Sequence, residues 1–486
     1  MLRSRLHLGR CAPWIHPTSS ARRRAFFSTT RHWQDKCFPT APKALINIKS
    51  IRQNPAIHAR NCIDRNYPSL ASCPQQIVVA HQKWLEHDKV AQDTRKALRG
   101  FEFRIRDANE DEKEPLLKQA RTYRDSLDAG EKIQRSLQEE VESLSAALPN
   151  LMSSETPIGE EPRILEIVEP SHKRGDSLQD HVRIGNHLHI LDFTSAASIS
   201  GTGFYFLLND GERLEHALVQ HARSMAQKCG FLPCSPPSLI YSDIGTACGF
   251  RPRDHHGEQQ VYAIQQSALD IDSRKPNRSL AGTAEIPFAG LHANSTLDHG
   301  ALPQRLVGSS RCYRAEAGAH GRQGRGLYRV HEFTKVEMFA WTMPGEEMSI
   351  FKEMVSIQRD IIRSLELPYR ILEMPSWDLG ASAYRKQDIE VYFPSRTNFD
   401  NGWGEVTSTS ICTDYQTRRL NTRLRMPPGS QPGPIFPSTV NGTAMAVPRV
   451  LAAILENGWR KGDEVRIPEV LWPYMGGQQV ISKAQP

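Results

Sequence analysis

Apolar residues follow two different rhythms along this chain. From Ile77 they recur every seven residues, at Ile77, Trp84, Ala91, Leu98 and Ile105. A second series, Ala120, Tyr123, Leu127, Leu137, Val141, Leu144 and Leu148, steps by threes and fours. Each series lies on one stripe of a helix, and a seven-residue repeat lets two helices wind around each other. Between them runs a polar break, Asp107 to Pro115, and Pro115 suits the first turn of a new helix. The pattern predicts an antiparallel helical hairpin over 77–148, with arms of about 30 residues and roughly 45 Å long. Residues 43–72 read as a short helical lead-in, so that 43–150 form one unit.

Residues 151–165 are rich in Pro, Ser, Gly and Glu and read as a linker. Apolar runs of strand length then appear in RILEIV, HLHILDF and FYFLL, separated by turns. A helix is expected over 211–229, followed by CGFLPCSPPSLI, a strand closed by Pro236 or Pro237. The fold class is therefore α+β, a helical hairpin joined to a second domain over 166–480.

Composition narrows the class further. With 486 residues, 39% hydrophobic and 24% charged, the chain has material for ordinary cores in two or three domains. No apolar run is long enough to span a bilayer. The nine cysteines are scattered and form no C-x-x-C pair, which argues against a zinc ribbon or a dithiol redox site and suits a reducing compartment. The net charge of +7 suits a nucleic-acid partner. Part of that charge sits in residues 1–34, which carry Arg3, Arg5, Arg10, Arg22, Arg23, Arg24 and Arg31 and no acid. That is the composition of a mitochondrial presequence, a disordered basic tail being the alternative.

Four polar segments carry the chemistry. The first is RCYRAEAGAHGRQGRGLYRVHEFTKVE, from Arg311 to Glu337. It pairs Arg314 with Glu316, adds a glycine-rich loop with Arg322 and Arg325, and returns through Val330, Phe333 and Glu337. Such a segment can grip a nucleotide at both ends: guanidinium on phosphate, carboxylate on an exocyclic amine, aromatic ring on the base. The second is Thr283-Ala284-Glu285, 31 residues before Arg314, which on its own would pass for a helix cap. The third is Glu405-Val406-Thr407-Ser408, where Glu405 and Ser408 offer hard oxygens to magnesium. The fourth is NGTAMAVPR, Asn441 to Arg449, ahead of the helical run VLAAILEN.

Taken in chain order, the four segments resemble the signature motifs of class II aminoacyl-tRNA synthetases, in the form used by the seryl-tRNA synthetase family. The resemblance covers residues 45–478, including the flanks IKSIRQNPAIHARN and RIPEVLWPYMGG. It implies a catalytic domain on an antiparallel sheet flanked by helices, with the hairpin as a tRNA-binding arm. The reaction implied is activation of L-serine by ATP to seryl-adenylate, then transfer to the 3′ end of tRNA(Ser). The ATP residues implied are Arg314, Ala315, Glu316, Val330, Phe333, Glu405, Val406, Thr407, Ser408 and Arg449, with Arg314, Arg449 and Glu405 catalytic. Serine is assigned to Thr283, Ala284, Glu285, Arg314, Glu337 and Thr443.

The family also implies Mg2+ carried with ATP on Glu405 and Ser408, no zinc, a homodimer formed through the Pro236–Pro237 region, no membrane contact, and work in the mitochondrial matrix. Asp414, Arg418 and Arg419 are expected to brace the site. On the arm, Lys89, Arg95, Lys96, Arg99, Arg104 and Arg106 are expected to meet tRNA phosphates, a solvated helix face being the alternative. Two residues depart from the family pattern. Ala444 stands where glycine is common, with a methyl expected to narrow the pocket slightly, and Pro448 precedes the arginine. A threonyl- or prolyl-type synthetase and a synthetase-like binder of nucleotide or RNA are the rival readings.

Overall fold

The seven-residue stripe folds into two long antiparallel helices, α1 (Cys73–Asp107) and α2 (Glu110–Ala147). The computed structural model describes residues 42–169, 179–250, 260–273, 275–316, 326–429 and 433–483. The basic segment 1–34, Arg322 and Arg325 lie outside them. Arms of 35 and 38 residues exceed the expected length, because the helices begin at Cys73 and meet across Ala108 and Asn109 alone. Pro115 departs from its expected place. It lies inside α2, past the first turn, which is instead made by Glu110, Asp111 and Glu112. Three acids suit the positive end of a helix, and a proline this close to the start removes one backbone bond near the exposed tip.

Only the base of the arm has a core. Ile77, Ala80 and Val141 pack there with Ile51, Cys62, Cys73 and Leu148. Higher up, polar contacts cross the seam, Gln134 Nε2 donating to Asp88 Oδ1 at 3.1 Å and Arg95 pairing with Glu131 at 2.8 Å.

The second domain is built on eight strands: β1 (Arg163–Val168), β2 (Leu232–Pro233), β3 (Gln304–Tyr313), β4 (Glu332–Thr342), β5 (Tyr369–Glu373), β6 (Arg385–Tyr392), β7 (Trp403–Thr413) and β8 (Ser438–Ala446). Their spatial order is β1-β5-β6-β7-β8-β4-β3-β2. All neighbours are antiparallel except β2 and β3. β1 starts within the stretch read as linker.

Helices α3 (Asp210–Lys228), α4 (Glu347–Ser364) and α5 (Val447–Gly458) cover one face. Alternation along β4 divides the cores: Val336, Met338 and Ala340 face these helices, while Phe339 and Trp341 join a second cluster on the opposite face. Among the described residues no helix is long and apolar enough to cross a membrane.

The arm's base is fastened to this domain by buried polar groups. Arg65, fully buried, donates to the carbonyls of Asn150 and Gly380. Asn150 Nδ2 donates to Ser382 O at 2.9 Å and Cys412 O at 3.0 Å. Arg418 and Arg419 belong to the same joint. Arg418 pairs with Asp414 at 2.6 Å and reaches Leu45 O at 3.3 Å, and Arg419 donates to Leu148 O at 3.3 Å. These three residues thus tie the arm to the sheet, where bracing of the site was expected.

Candidate active site

Two β-bulges shape the open face of the sheet. In a regular strand, residues three apart point to opposite faces. On β7 one extra residue at Val406 changes this: Glu390 pairs with Glu405 and Ile389 with Thr407. Glu405 and Ser408 therefore share the face of Asp388 and Glu390, while Thr407 turns with Ile389 toward the helices. On β8 the extra residue is Ala444, so that Thr443 pairs with Glu337. Ala444 itself is buried in the helix-side core. Its methyl points away from the open face and does not narrow the pocket.

Both irregularities are held from behind by Gln358 of α4. Its Nε2 donates to Ser408 O and Thr443 O, each at 2.9 Å, and its Oε1 accepts from Thr409 Oγ1 at 2.7 Å.

An open cleft lies on this face, with about 480 Å³ of space counted out into open solvent. Arg314, Glu316, Phe333, Glu405, Thr443 and Arg449 line it, drawn from all of the segments except Thr283–Glu285. Val330, Val406 and Pro448 complete its walls. Arg449, at the start of α5, donates from Nε to Tyr328 O at 3.0 Å and from Nη1 to Glu405 Oε2 at 3.2 Å. Arg314 lies over the Phe333 ring, 5.3 Å from its centroid. Glu316 has a left-handed backbone (φ 47°) and pairs with Arg329 at 2.5 Å. Burial works to raise the pKa of Glu405, but Arg449, Lys386 and Arg314 outweigh it and hold the carboxyl below the ordinary range.

Behind the cleft lies a buried polar group. Glu337 is fully buried, pairs with Lys335 at 2.6 Å and accepts from Thr443 Oγ1 at 3.4 Å, while its Oε1 has no hydrogen-bond partner among the described residues. Glu285 accepts from Gln416 Nε2 at 2.6 Å and Asn441 Nδ2 at 3.1 Å. Burial first, then the Glu337 charge, pushes the Glu285 carboxyl up to about 7. Thr283 is buried beside it, its Oγ1 accepting from Glu285 N at 3.3 Å. Ala284 is packed in the second core. Ala315 lies between Arg314 and Glu316 without lining the cleft, its N–H donating to Gln260 O at 3.1 Å.

Sequence reasoning missed Lys335, Lys386, Asp388 and Arg329. Lys386 and Asp388 pair at 2.9 Å beside Glu405. Their signal was present in the alternation from Asp388 to Val391, polar at Asp388 and Glu390 and apolar at Ile389 and Val391, with Lys386 on the polar face.

The arm residues do not converge. Arg95 is turned onto Glu131, Lys96 faces Asp93 at 3.8 Å, Arg106 faces Asp107 at 3.1 Å, and Arg104 lies over Phe101. Lys89 and Arg99 are exposed on the same helix.

Comparison with known proteins decides the family. Residues 268–458 match the model of the tRNA synthetase class II core domain (G, H, P, S and T). The chain is 43% identical over 341 residues to the mitochondrial serine–tRNA ligase of Saccharomyces cerevisiae, spanning 69% of this chain and 72% of that one. It is 37% identical over 439 residues to the mitochondrial serine–tRNA ligase of Schizosaccharomyces pombe, spanning 89% and 88%. The chain belongs to the seryl-tRNA synthetase family. Its members are ATP-dependent serine–tRNA ligases, and the helical arm with an antiparallel catalytic sheet is their architecture. The crystal structure of seryl-tRNA synthetase from Pyrococcus horikoshii complexed with ATP superposes with a TM-score of 0.80 at 28% identity, covering 90% of this chain and all of that one.

Proposed function

We propose that this chain charges mitochondrial tRNA(Ser) with L-serine in two steps at the cleft between β4, β7, β8 and α5. The observation that carries the reading is the convergence of Arg314, Arg449 and Glu405 around one cleft, with the unpaired Glu337 Oε1 and the Glu285 carboxyl buried behind it.

Both reactants of the first step are anions, the serine carboxylate and the α-phosphate of ATP. Arg314 lowers their repulsion and holds the carboxylate in line with the α-phosphorus, whose bond to the β-phosphate oxygen breaks as pyrophosphate leaves. Arg449 takes the terminal phosphate and covers one face of adenine, and Phe333 the other. Glu316 accepts from the adenine amine. These are positioning and electrostatic contributions, and no protein nucleophile is needed. Glu405, ionised by its arginine and lysine neighbours, and Ser408, brought to its side by the bulge, fit a hard cation. They would hold Mg2+, whose charge helps neutralise the phosphates.

Serine is read by its ammonium and its hydroxyl. Glu285 and the unpaired Glu337 Oε1 accept from the ammonium, and Thr443 meets the hydroxyl. Alanine leaves buried polar groups without partners, and such a site discriminates by as much as about 10⁴ to 10⁵. In the second step the terminal ribose hydroxyl of tRNA attacks the adenylate carbonyl and releases AMP.

The arm, with Lys89, Arg95, Lys96, Arg99, Arg104 and Arg106, receives the tRNA. The mitochondrial names of two relatives and the basic composition of residues 1–34 support import into the matrix. Two copies pair through the region of Pro236 and Pro237. The deciding experiment is exchange of labelled pyrophosphate into ATP with serine, threonine, alanine and proline in turn. Serine alone should support it. Exchange driven best by threonine or proline, or by none of the four, refutes the reading.

A further inference from the structure

Helix α5 carries a second functional side chain two turns after Arg449. Residues seven apart lie on one side of a helix, and Glu456 uses that position to face the turn Gly326–Tyr328 through His181. All three groups are withdrawn from water: His181, Glu456 and Leu327 are buried. A backbone N–H can only donate, so His181 Nε2 is the acceptor for Leu327 N, at 2.9 Å. The ring proton therefore sits on Nδ1 and is donated to Glu456 Oε1 at 2.7 Å. Glu456 is itself fixed, accepting from His181 N at 3.2 Å, Ser395 Oγ at 2.9 Å and Ser395 N at 3.1 Å.

The next residue of the turn is Tyr328, whose carbonyl accepts from Arg449 Nε at 3.0 Å. Its ring lies under the guanidiniums of Arg396 and Arg449, at 3.8 and 4.6 Å, and against Gly404, where a Cβ would come within 2.6 Å of it. One face of α5 thus holds the turn at two successive residues, by the N–H of Leu327 through His181 and by the C=O of Tyr328 through Arg449. Gly326 shows how closely His181 is seated, since a Cβ there would lie 2.2 Å from His181 Nε2.

We propose that His181 is a positioning residue for the nucleotide, fixing through Leu327 N–H the turn whose Tyr328 carbonyl orients Arg449. The inference rests on the assignment of Arg449 to ATP made above. Nothing in His181 touches the serine side of the site, so its loss acts on ATP alone.

Two substitutions divide the ring's two hydrogen bonds between them. His181→Gln keeps an acceptor at the Nε2 position and loses the donor to Glu456. His181→Asn keeps a donor at the Nδ1 position and leaves Leu327 N–H buried without an acceptor. Pyrophosphate exchange is measured on the full chain with ATP and serine varied separately, alongside thermal melting. His181→Asn should raise the KM for ATP roughly tenfold, the order expected for one buried donor left unpaired. His181→Gln should stay within about threefold of wild type, and the KM for serine should hold in both. Equal ATP effects in the two variants, a parallel rise in the serine KM, or no ATP effect in His181→Asn would each overturn the proposal. Should His181→Asn fail to fold, Gly326→Ala wedges a methyl against Nε2 and must raise the ATP KM in the same way; an unchanged value overturns the proposal. A wild-type chain without serine-dependent exchange would sink the functional reading, and is thereby distinguished from failure of this one.

Discussion

The arm and the sheet deal with water in opposite ways. The arm has one seam, shared by two helices, and most of its surface remains wet. Val90 and Phe103 keep 61% and 60% of their surface exposed, and the Arg95–Glu131 pair is more than 40% exposed on both sides. Such a pair is screened and worth little. The sheet packs one core against its helices and a second on its other face beside the cleft, so β4 can bury Lys335 and Glu337 against each other. A charge counts for more where water is excluded. The chemistry belongs in the sheet, and the arm offers hydrated charges at a distance.

Removing one charge from each region should separate them most sharply. Arg314→Ala should lower pyrophosphate exchange by at least about 10²- to 10³-fold, the loss typical of a group that stabilises transition-state charge. Its melting temperature should stay close to wild type, because among the described residues the Arg314 side chain is held by a long 3.5 Å contact to Gly282 O and a ring contact to Phe333. Exchange within tenfold of wild type would remove Arg314 from the reaction. Alanine at Arg95, which serves a wet pair, should leave exchange unchanged.

Excision of the upper arm tests the converse. Asp88 and Gln134 face each other across the seam, so replacing residues 89–133 by a short turn leaves Ile77, Ala80, Val141 and Leu148 in their core. Exchange should persist, while kcat/KM for tRNA charging should fall at least about tenfold, since each lost charge-assisted contact is worth about 1.5–3 kcal/mol. Equal charging by the shortened chain would make the arm a scaffold only.

These two regions also differed in how far the sequence could be read. Heptads announce helices because the period is local, and the arm was visible from Ile77 to Leu148. Pro115 misled because proline is tolerated in a wet helix start as well as at its first position. In the sheet, the residue types of the site stood out, but their faces did not. Glu405 and Ser408 share a face only through the bulge at Val406, and Ala444 leaves the pocket only through the bulge at β8. A bulge is a two-strand property that no single strand spells out. Gln358, Arg65 and Asn150 were invisible for a similar reason, since each acts on backbone carbonyls distant in sequence.

Glu285 gives a pH signature confined to the sheet. Its carboxyl is raised to about 7 in the folded chain, so between the ordinary carboxylate range and about 7 the folded state holds a proton that the unfolded state has released. Stability contributed by this group is therefore lost as pH rises through that window. An incoming ammonium needs the ionised form. The KM for serine should accordingly fall as pH rises, by up to about tenfold per unit below 7, and level off above it. Glu285→Gln should remove that slope while weakening serine binding at high pH. A serine KM that is flat from pH 5.5 to 7.5 in the wild type, at constant ATP, would contradict the assignment of Glu285 to the ammonium.

The smallest effect expected is in the arm, at two glycines. Gly100 in α1 and Gly130 in α2 lie within helices, and a Cβ built on either meets nothing within 4 Å. Glycine inside a helix costs about 0.5–1 kcal/mol relative to alanine through backbone entropy, and no close approach here requires it. Gly100→Ala and Gly130→Ala should each slow amide exchange in the upper arm by roughly two- to fivefold, leaving the sheet and the pyrophosphate reaction untouched. The charging rate then tells what the glycines are for. If tRNA is received by a stiff arm, kcat/KM for tRNA holds or improves in the double variant. If the arm must bend to receive it, stiffening lowers that ratio although no phosphate contact has been removed. Either outcome requires the protection to rise first, and unchanged amide exchange in both variants would mean that the arm's softness comes from its thin seam and not from these two positions.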